Sequence, residues 1–159
     1  MIDGEPSITA FELANRPTSV HRLGGMPFSF RPDKRTRILH TRAFGTITDA
    51  EMVDLLDRLS HEPSFVTGWP VLSDCSAVTA VLISSSLIES FAKSARTRHN
   101  LAAIIAPNPV VFGLSRMYQI FSDPADKRIR VFSNAHEARA WLSEEMKEAA
   151  LHADEISEG

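Results

Sequence analysis

The 159-residue chain predicts a single α/β domain with the element order ββαβαβαβα, a mixed sheet of about five strands and four helices. Three observations carry that expectation. Short strand-like runs alternate with amphipathic segments along the chain. Three of those segments open with residues that satisfy backbone N–H groups at a helix start: Thr48 with Glu51, Asn108 before Pro109, and Asn134 with Glu137. The run Leu101 to Ala106 (LAAIIA) is wholly apolar, as a central strand covered on both faces must be.

Residues 1–25 read as a leader, because Pro6, Pro17 and the Gly24-Gly25 pair interrupt any long element. Ile8, Phe11 and Leu13 could form a short docked turn there. The domain is expected over residues 26–146. Phe28-Ser29-Phe30 alternates as a strand, Pro32-Asp33 marks a turn, and Thr36 to Phe44 forms the second strand of a hairpin. Gly45 is expected to end that strand. A helix then follows from Thr48, with Met52, Leu55, Leu56 and Leu59 on one face and Pro63 beyond its end.

Trp69 to Cys75 reads as the third strand, with Asp74 at its close. Ser84, Ser85 and Ser86 open the next helix, whose apolar face is Leu87, Ile88, Phe91, Ala92 and Ala95. Asn108 and Pro109 begin a helix striped with Val111, Leu114, Met117, Tyr118 and Phe121. Gly113 within it is expected to let that helix approach the sheet. Ile129 to Phe132 is a short last strand, and Asn134 caps a final helix through Ala138, Trp141, Leu142 and Met146. Residues 147–159 read as an acidic tail, a solvated helix end that frays.

Charge and composition exclude several function classes. The net charge is −3; residues 137–159 carry seven acids and two bases, and the remainder is nearly balanced at +2. Neither part has the strongly basic face that nucleic acid needs. No apolar run is long enough for a membrane helix, and the N-terminus lacks the positive region and apolar stretch of a secretory signal. The lone Cys75 cannot form an internal disulfide, so a cytoplasmic protein is the natural expectation. The six histidines show no metal-ligand spacing, and neither a phosphate-binding glycine loop nor a nucleophile elbow is present. No cofactor or metal is expected, and no enzyme, since no nucleophile stands beside a base.

The element order resembles that of the STAS domain, the fold of the SpoIIAA-like anti-sigma-factor antagonists, over Met26 to Leu142. The stretches that carry the resemblance are Gly45 to Glu51, Trp69 to Asp74, Phe112 to Tyr118, and Arg130-Val131-Phe132 leading to Ala138, Trp141 and Leu142. In particular the chain is similar to a divergent branch of small bacterial SpoIIAA-like proteins. In the antagonists a strand-end Asp precedes a helix start that bears Asp-Ser-Ser-Gly, and a kinase phosphorylates a serine there. The resemblance implies that Asp74 is the strand-end Asp and that Ser84 and Ser85 are the serine pair, with one extra loop residue. Ile83 stands where the acid would be and Ser86 where the glycine would be.

The implied function is a non-enzymatic regulatory domain that binds a protein partner, an anti-sigma or kinase-like regulator, and is switched at the second helix start. A phosphate adds about −2 charge where the helix dipole is positive. The plain alternative is that Ser86 caps the helix with Glu89 as its reciprocal partner, leaving Ser84 and Ser85 in the loop. An Asp such as Asp74 commonly bonds loop N–H groups. Arg116 and Tyr118, on the next helix, would line a cleft or a dimer contact. A homodimer would also cover the exposed hairpin edge. The second reading is a carrier of a small apolar ligand, since STAS domains resemble the Sec14-type lipid-exchange fold.

Overall fold

The computed structural model describes residues 27–96, 100–125 and 128–158. The expected leader, Met26 and His99 lie outside the described residues. Ten elements follow one another: β1 (Phe28–Asp33), β2 (Ile38–Thr48), α1 (Asp49–His61), α2 (Pro63–Val66), β3 (Val71–Leu82), α3 (Ser85–Arg96), β4 (Ala102–Ile105), α4 (Pro109–Ser122), β5 (Ile129–Phe132) and α5 (Ala135–Ser157). Five helices are thus described where four were expected. The addition is the single turn α2, which forms because Pro63 suits a first helical position and the Glu62 carboxylate accepts from Ser64 N.

The five strands form one sheet in the order β1-β2-β3-β4-β5. β1 and β2 are an antiparallel hairpin, and each later pairing is parallel. The hairpin turn lies beyond Pro32-Asp33, because Pro32 still pairs with Leu39 and Asp33 with Ile38. Asp33 instead shapes the turn from its side: its Oδ1 accepts from Arg35 N (2.9 Å) and Thr36 N (3.4 Å). Pro32 is tolerated because β1 is an edge strand.

One face of the sheet packs under α1, α3 and α4, with Ala43, Val78, Ile104, Val111 and Ile129 in its core. The other face carries α5, where Ala138 and Leu142 meet Leu72, Ala103 and Ile105. The expectation that the LAAIIA strand is covered on both faces therefore holds.

The middle strands depart most from expectation. β2 does not end at Gly45 and β3 does not end at Asp74; both run on to Thr48 and Leu82, paired, among the described residues, only with each other. Two bulges make this possible. Arg42 faces Asp74 while Phe44 faces Ala77, and Gly45 faces Val78 while Thr46 faces Ala80, so β3 carries one extra residue each time. Gly45 takes φ of 72°, which bends β2 through the irregular stretch instead of ending it. β4 stops at Ile105 opposite Asp74, so the β2–β3 pair projects past it as a two-stranded ribbon.

The helix starts follow the expected local chemistry. Thr48 N donates to Glu51 Oε2 (2.8 Å), Asn108 Oδ1 accepts from Val110 N (2.9 Å), and Asn134 Oδ1 accepts from Glu137 N (2.9 Å). Gly113 does not mediate close packing: it is exposed, and a Cβ there would meet nothing within 4 Å. α5 continues as helix through Ser157, and its last two turns are exposed throughout.

Candidate functional site

The serine trio sits at the ribbon tip. Ser84, not Ser86, is the cap of α3: its carbonyl accepts from Leu87 N and Ile88 N, and its Oγ accepts from Leu87 N at 3.3 Å. Position N3 is therefore Leu87, and Glu89 pairs with Lys93 one turn on (3.2 Å) instead of reaching back. Ser84 N donates to Asp49 Oδ1 at 2.7 Å, which ties the start of α3 to the start of α1. All three serines are exposed, and Leu82 beside them is 66% exposed.

Asp74 is not part of this cluster. Seven residues of β3 lie between it and Leu82, and the paired stretch of β2 from Arg42 to Thr48 spans roughly 20 Å at strand rise. The strand-end role assigned to it fails because the ribbon extends beyond the edge of β4. Asp74 Oδ1 accepts from Ser76 N (2.9 Å), so the carboxylate shapes the first bulge. Its neighbours Ser73 and Cys75 face the helices α1, α3 and α4, so Asp74 points to the opposite face of the sheet.

Arg116 and Tyr118 are half-buried on α4. Arg116 Nη1 donates to Gln119 Oε1 (2.7 Å), which fixes the guanidinium along its own helix. Tyr118 stacks on Phe91 of α3, with ring centroids 4.9 Å apart. Both rings form part of the wall of a partly open cavity, and Arg116 is not part of its lining.

That cavity has a volume of about 200 Å³ and lies between the sheet and α1, α3 and α4. Its floor includes Thr41 and Ala43 of β2, Ser73 and Cys75 of β3, and Ala102 and Ile104 of β4. Its roof includes Met52 and Leu55 of α1, Ile88 and Phe91 of α3, and Leu114 and Tyr118 of α4. The cause is visible in the residue sizes. Thr41, Ala43, Ser73, Cys75 and Ala102 are small side chains on three adjacent strands, and they leave space below the larger Met52, Leu55, Ile88, Phe91, Leu114 and Tyr118 of the helices. Reading the sequence element by element missed this site. Its signal was a coincidence of small residues at alternate positions in three strands, which becomes visible only with the register.

Three floor residues carry a hydroxyl or thiol, and Asn100, Ser115, Tyr118 and Arg128 are the other polar residues of the lining. Thr41 and Ser73 face one another in register across β2 and β3, and Ser73 Oγ lies 3.9 Å from Cys75 Sγ. Burial pushes the Cys75 thiol up to about 11. A free thiol titrates near 8.5. At pH 8 roughly one Cys75 in a thousand is therefore a thiolate. Iodoacetamide should label native Cys75 slowly, about tenfold faster for each pH unit up to the thiol's own range, and rapidly at pH 8 once the chain is unfolded in urea. Mass spectrometry of timed aliquots checks this; fast native labelling at pH 7 would contradict the burial. His40, on the opposite face of β2, is held below the ordinary imidazole range first by burial and then by the Arg31 charge.

Among the described residues, no group of three or more His, Cys, Asp and Glu could hold a metal ion. No described helix is long and apolar enough to cross a membrane.

The arrangement can be set beside known proteins. No protein-family model and no curated protein matches the chain. A solved structure does: an uncharacterized protein of the DUF3478 family with a SpoIIAA-like fold, from Shewanella loihica PV-4. It superposes with a TM-score of 0.50 at 14% identity, over 75% of this chain and 96% of that chain. At this identity the likeness shows the fold, and the fold is SpoIIAA-like.

Proposed function

We propose that the chain is a non-enzymatic STAS-type interaction module that binds a protein partner through the ribbon tip. The observation that carries this reading is the pair of exposed hydroxyls of Ser85 and Ser86 in the first turn of α3, flanked by the exposed apolar Leu82. Ser84 is committed to capping, so Ser85 and Ser86 are the residues at which a phosphate would change the surface without removing the cap. A phosphate there meets the positive end of the helix dipole, so the fold tolerates it while the contact surface gains about −2 charge. The absence of chemistry in this reading is supported by the placement of Asp74 on the far face of the sheet, away from the serines. The partner class is the one the resemblance implies, an anti-sigma or kinase-like regulator.

A second reading, a carrier of a small apolar ligand, rests on the cavity. The cavity is partly open and mostly apolar in its lining, so an apolar occupant would gain contacts there that solvent does not supply.

One preparation tests both. Tagged wild-type protein and the Ser85→Asp/Ser86→Asp variant are purified from the native cell. Co-purified proteins and solvent-extracted small molecules are then identified by mass spectrometry. A stoichiometric partner that falls about tenfold or more in the variant supports the first reading, and its absence from both samples under every growth condition overturns it. An apolar compound recovered at near-equal amounts from both samples supports the second, and none from either counts against it.

A further inference from the structure

We propose that the cavity selects a neutral, ring-sized molecule carrying one polar group, of the phenol or cyclic alcohol class, with that group on the Thr41–Ser73 hydroxyl pair. This rests on the second reading above and deepens it.

The size follows from volume. A 150 Å³ apolar cavity holds benzene. About 200 Å³ therefore suits roughly eight non-hydrogen atoms, far fewer than a lipid has. The polarity follows from the floor. Thr41 and Ser73 are register partners, both line the cavity, and Ile104 lies beside Ser73 on the next strand. Among the described residues Thr41 Oγ1 makes no hydrogen bond, and Ser73 Oγ has only the long contact to Cys75 Sγ. Neither hydroxyl is sealed in the protein without a partner, because every fully buried side-chain polar atom among the described residues is satisfied. Thr41 Oγ1, with no partner among the described residues, is therefore accessible, and Thr41 and Ser73 both line the cavity. Each can donate and accept, so together they suit a single hydroxyl or carbonyl.

Neutrality follows from the remaining lining. Arg128 is the charged residue on it, and it precedes β5 by one position, about 10 Å by strand rise from the hydroxyl row. A charge seated at the hydroxyl pair would face Ala43, Ile104 and Leu114 with no counterion. Two further candidates fit less well. The thiol of Cys75 is held protonated, and the Arg116–Gln119 pair lies along one helix and encloses no space.

The probes are p-cresol and p-xylene, which differ by a hydroxyl against a methyl, and dodecanol as a long-chain control. Binding to the full chain is followed by ligand-observed NMR and by titration. Wild type should bind both ring probes. Thr41→Val/Ser73→Ala should lose at least about fivefold in p-cresol affinity while p-xylene binding stays within about twofold, since only cresol then buries an unpaired hydroxyl. The retained p-xylene site also reports that the variant is folded. If the double variant does not fold, the single variants and a wild-type NOE from cresol ring protons to the Thr41 methyl decide the point. Failure of all probes to bind wild type would overturn the cavity reading and this inference together. Binding of p-xylene without p-cresol, an equal loss of both in the variant, or preferred binding of dodecanol would overturn this inference alone.

Discussion

Leu142→Ala should destabilise the domain by about 2–5 kcal/mol and lower its midpoint of thermal unfolding by roughly 6–15 °C. Leu142 is 1% exposed and meets Leu72, Ala103 and Ile105 on the sheet face that, among the described residues, α5 covers. The neighbouring contacts cannot close over the gap readily. Ala138, one turn earlier, is already fully buried, and Trp141 is held to Phe132 at 5.8 Å between ring centroids and lies beneath the Arg130 guanidinium at 5.7 Å. The rest of the same helix supplies the control. Leu151 is 64% exposed, so Leu151→Ala should stay within about 0.5 kcal/mol. Differential scanning calorimetry on the two variants checks both. Equal effects would mean that the distal turns of α5 are docked on something, and a negligible Leu142 effect would mean that this face is not core.

Features that depend on a few neighbouring residues were legible in the sequence. The carboxamide caps Asn108 and Asn134 and the Thr48–Glu51 pair act within three residues of themselves, so spacing alone reveals them. β5 and the two-sided burial of β4 follow from short apolar runs whose type the flanking caps settle. What failed needed a second strand. Asp74 reads as a strand end because a polar residue interrupts an apolar run, yet the interruption is a bulge, and β3 resumes with Val78 buried against β2. Gly45 reads as a terminator for the same reason, though its positive φ serves a bend inside β2. The candidate site divides along this line. The exposed serines at a helix start were visible, although the cap fell to Ser84 and not Ser86. The cavity was not, because the small residues in its floor become neighbours only through the register of β2, β3 and β4.

A residue that the sequence reading passed over should show an effect as large as that of Leu142. Asp123 ends α4, is 5% exposed, and accepts through Oδ2 from Arg128 N (2.6 Å) and Ile129 N (2.9 Å), while its own N–H donates to Gln119 O (2.8 Å). The carboxylate therefore holds the first residue of β5 against the last turn of α4. In Asp123→Ala those two backbone donors, one of them on the buried Ile129, lose a charge-assisted acceptor that water cannot readily replace. Each unpaired buried donor costs about 1–3 kcal/mol, so the variant should lose about 3–5 kcal/mol in urea unfolding. Asp123→Asn keeps an acceptor oxygen of nearly the same reach and should recover about half of that loss. The position of the damage separates this role from general destabilisation. Amide exchange at Ile129 and Val131 should accelerate more than exchange in the β1–β2 hairpin, because β5 is an edge strand held on one side by β4 and at its start by this carboxylate. Uniform acceleration across the sheet, or an Asn variant as weak as the Ala variant, would show that Asp123 acts on the fold by some means other than these two hydrogen bonds.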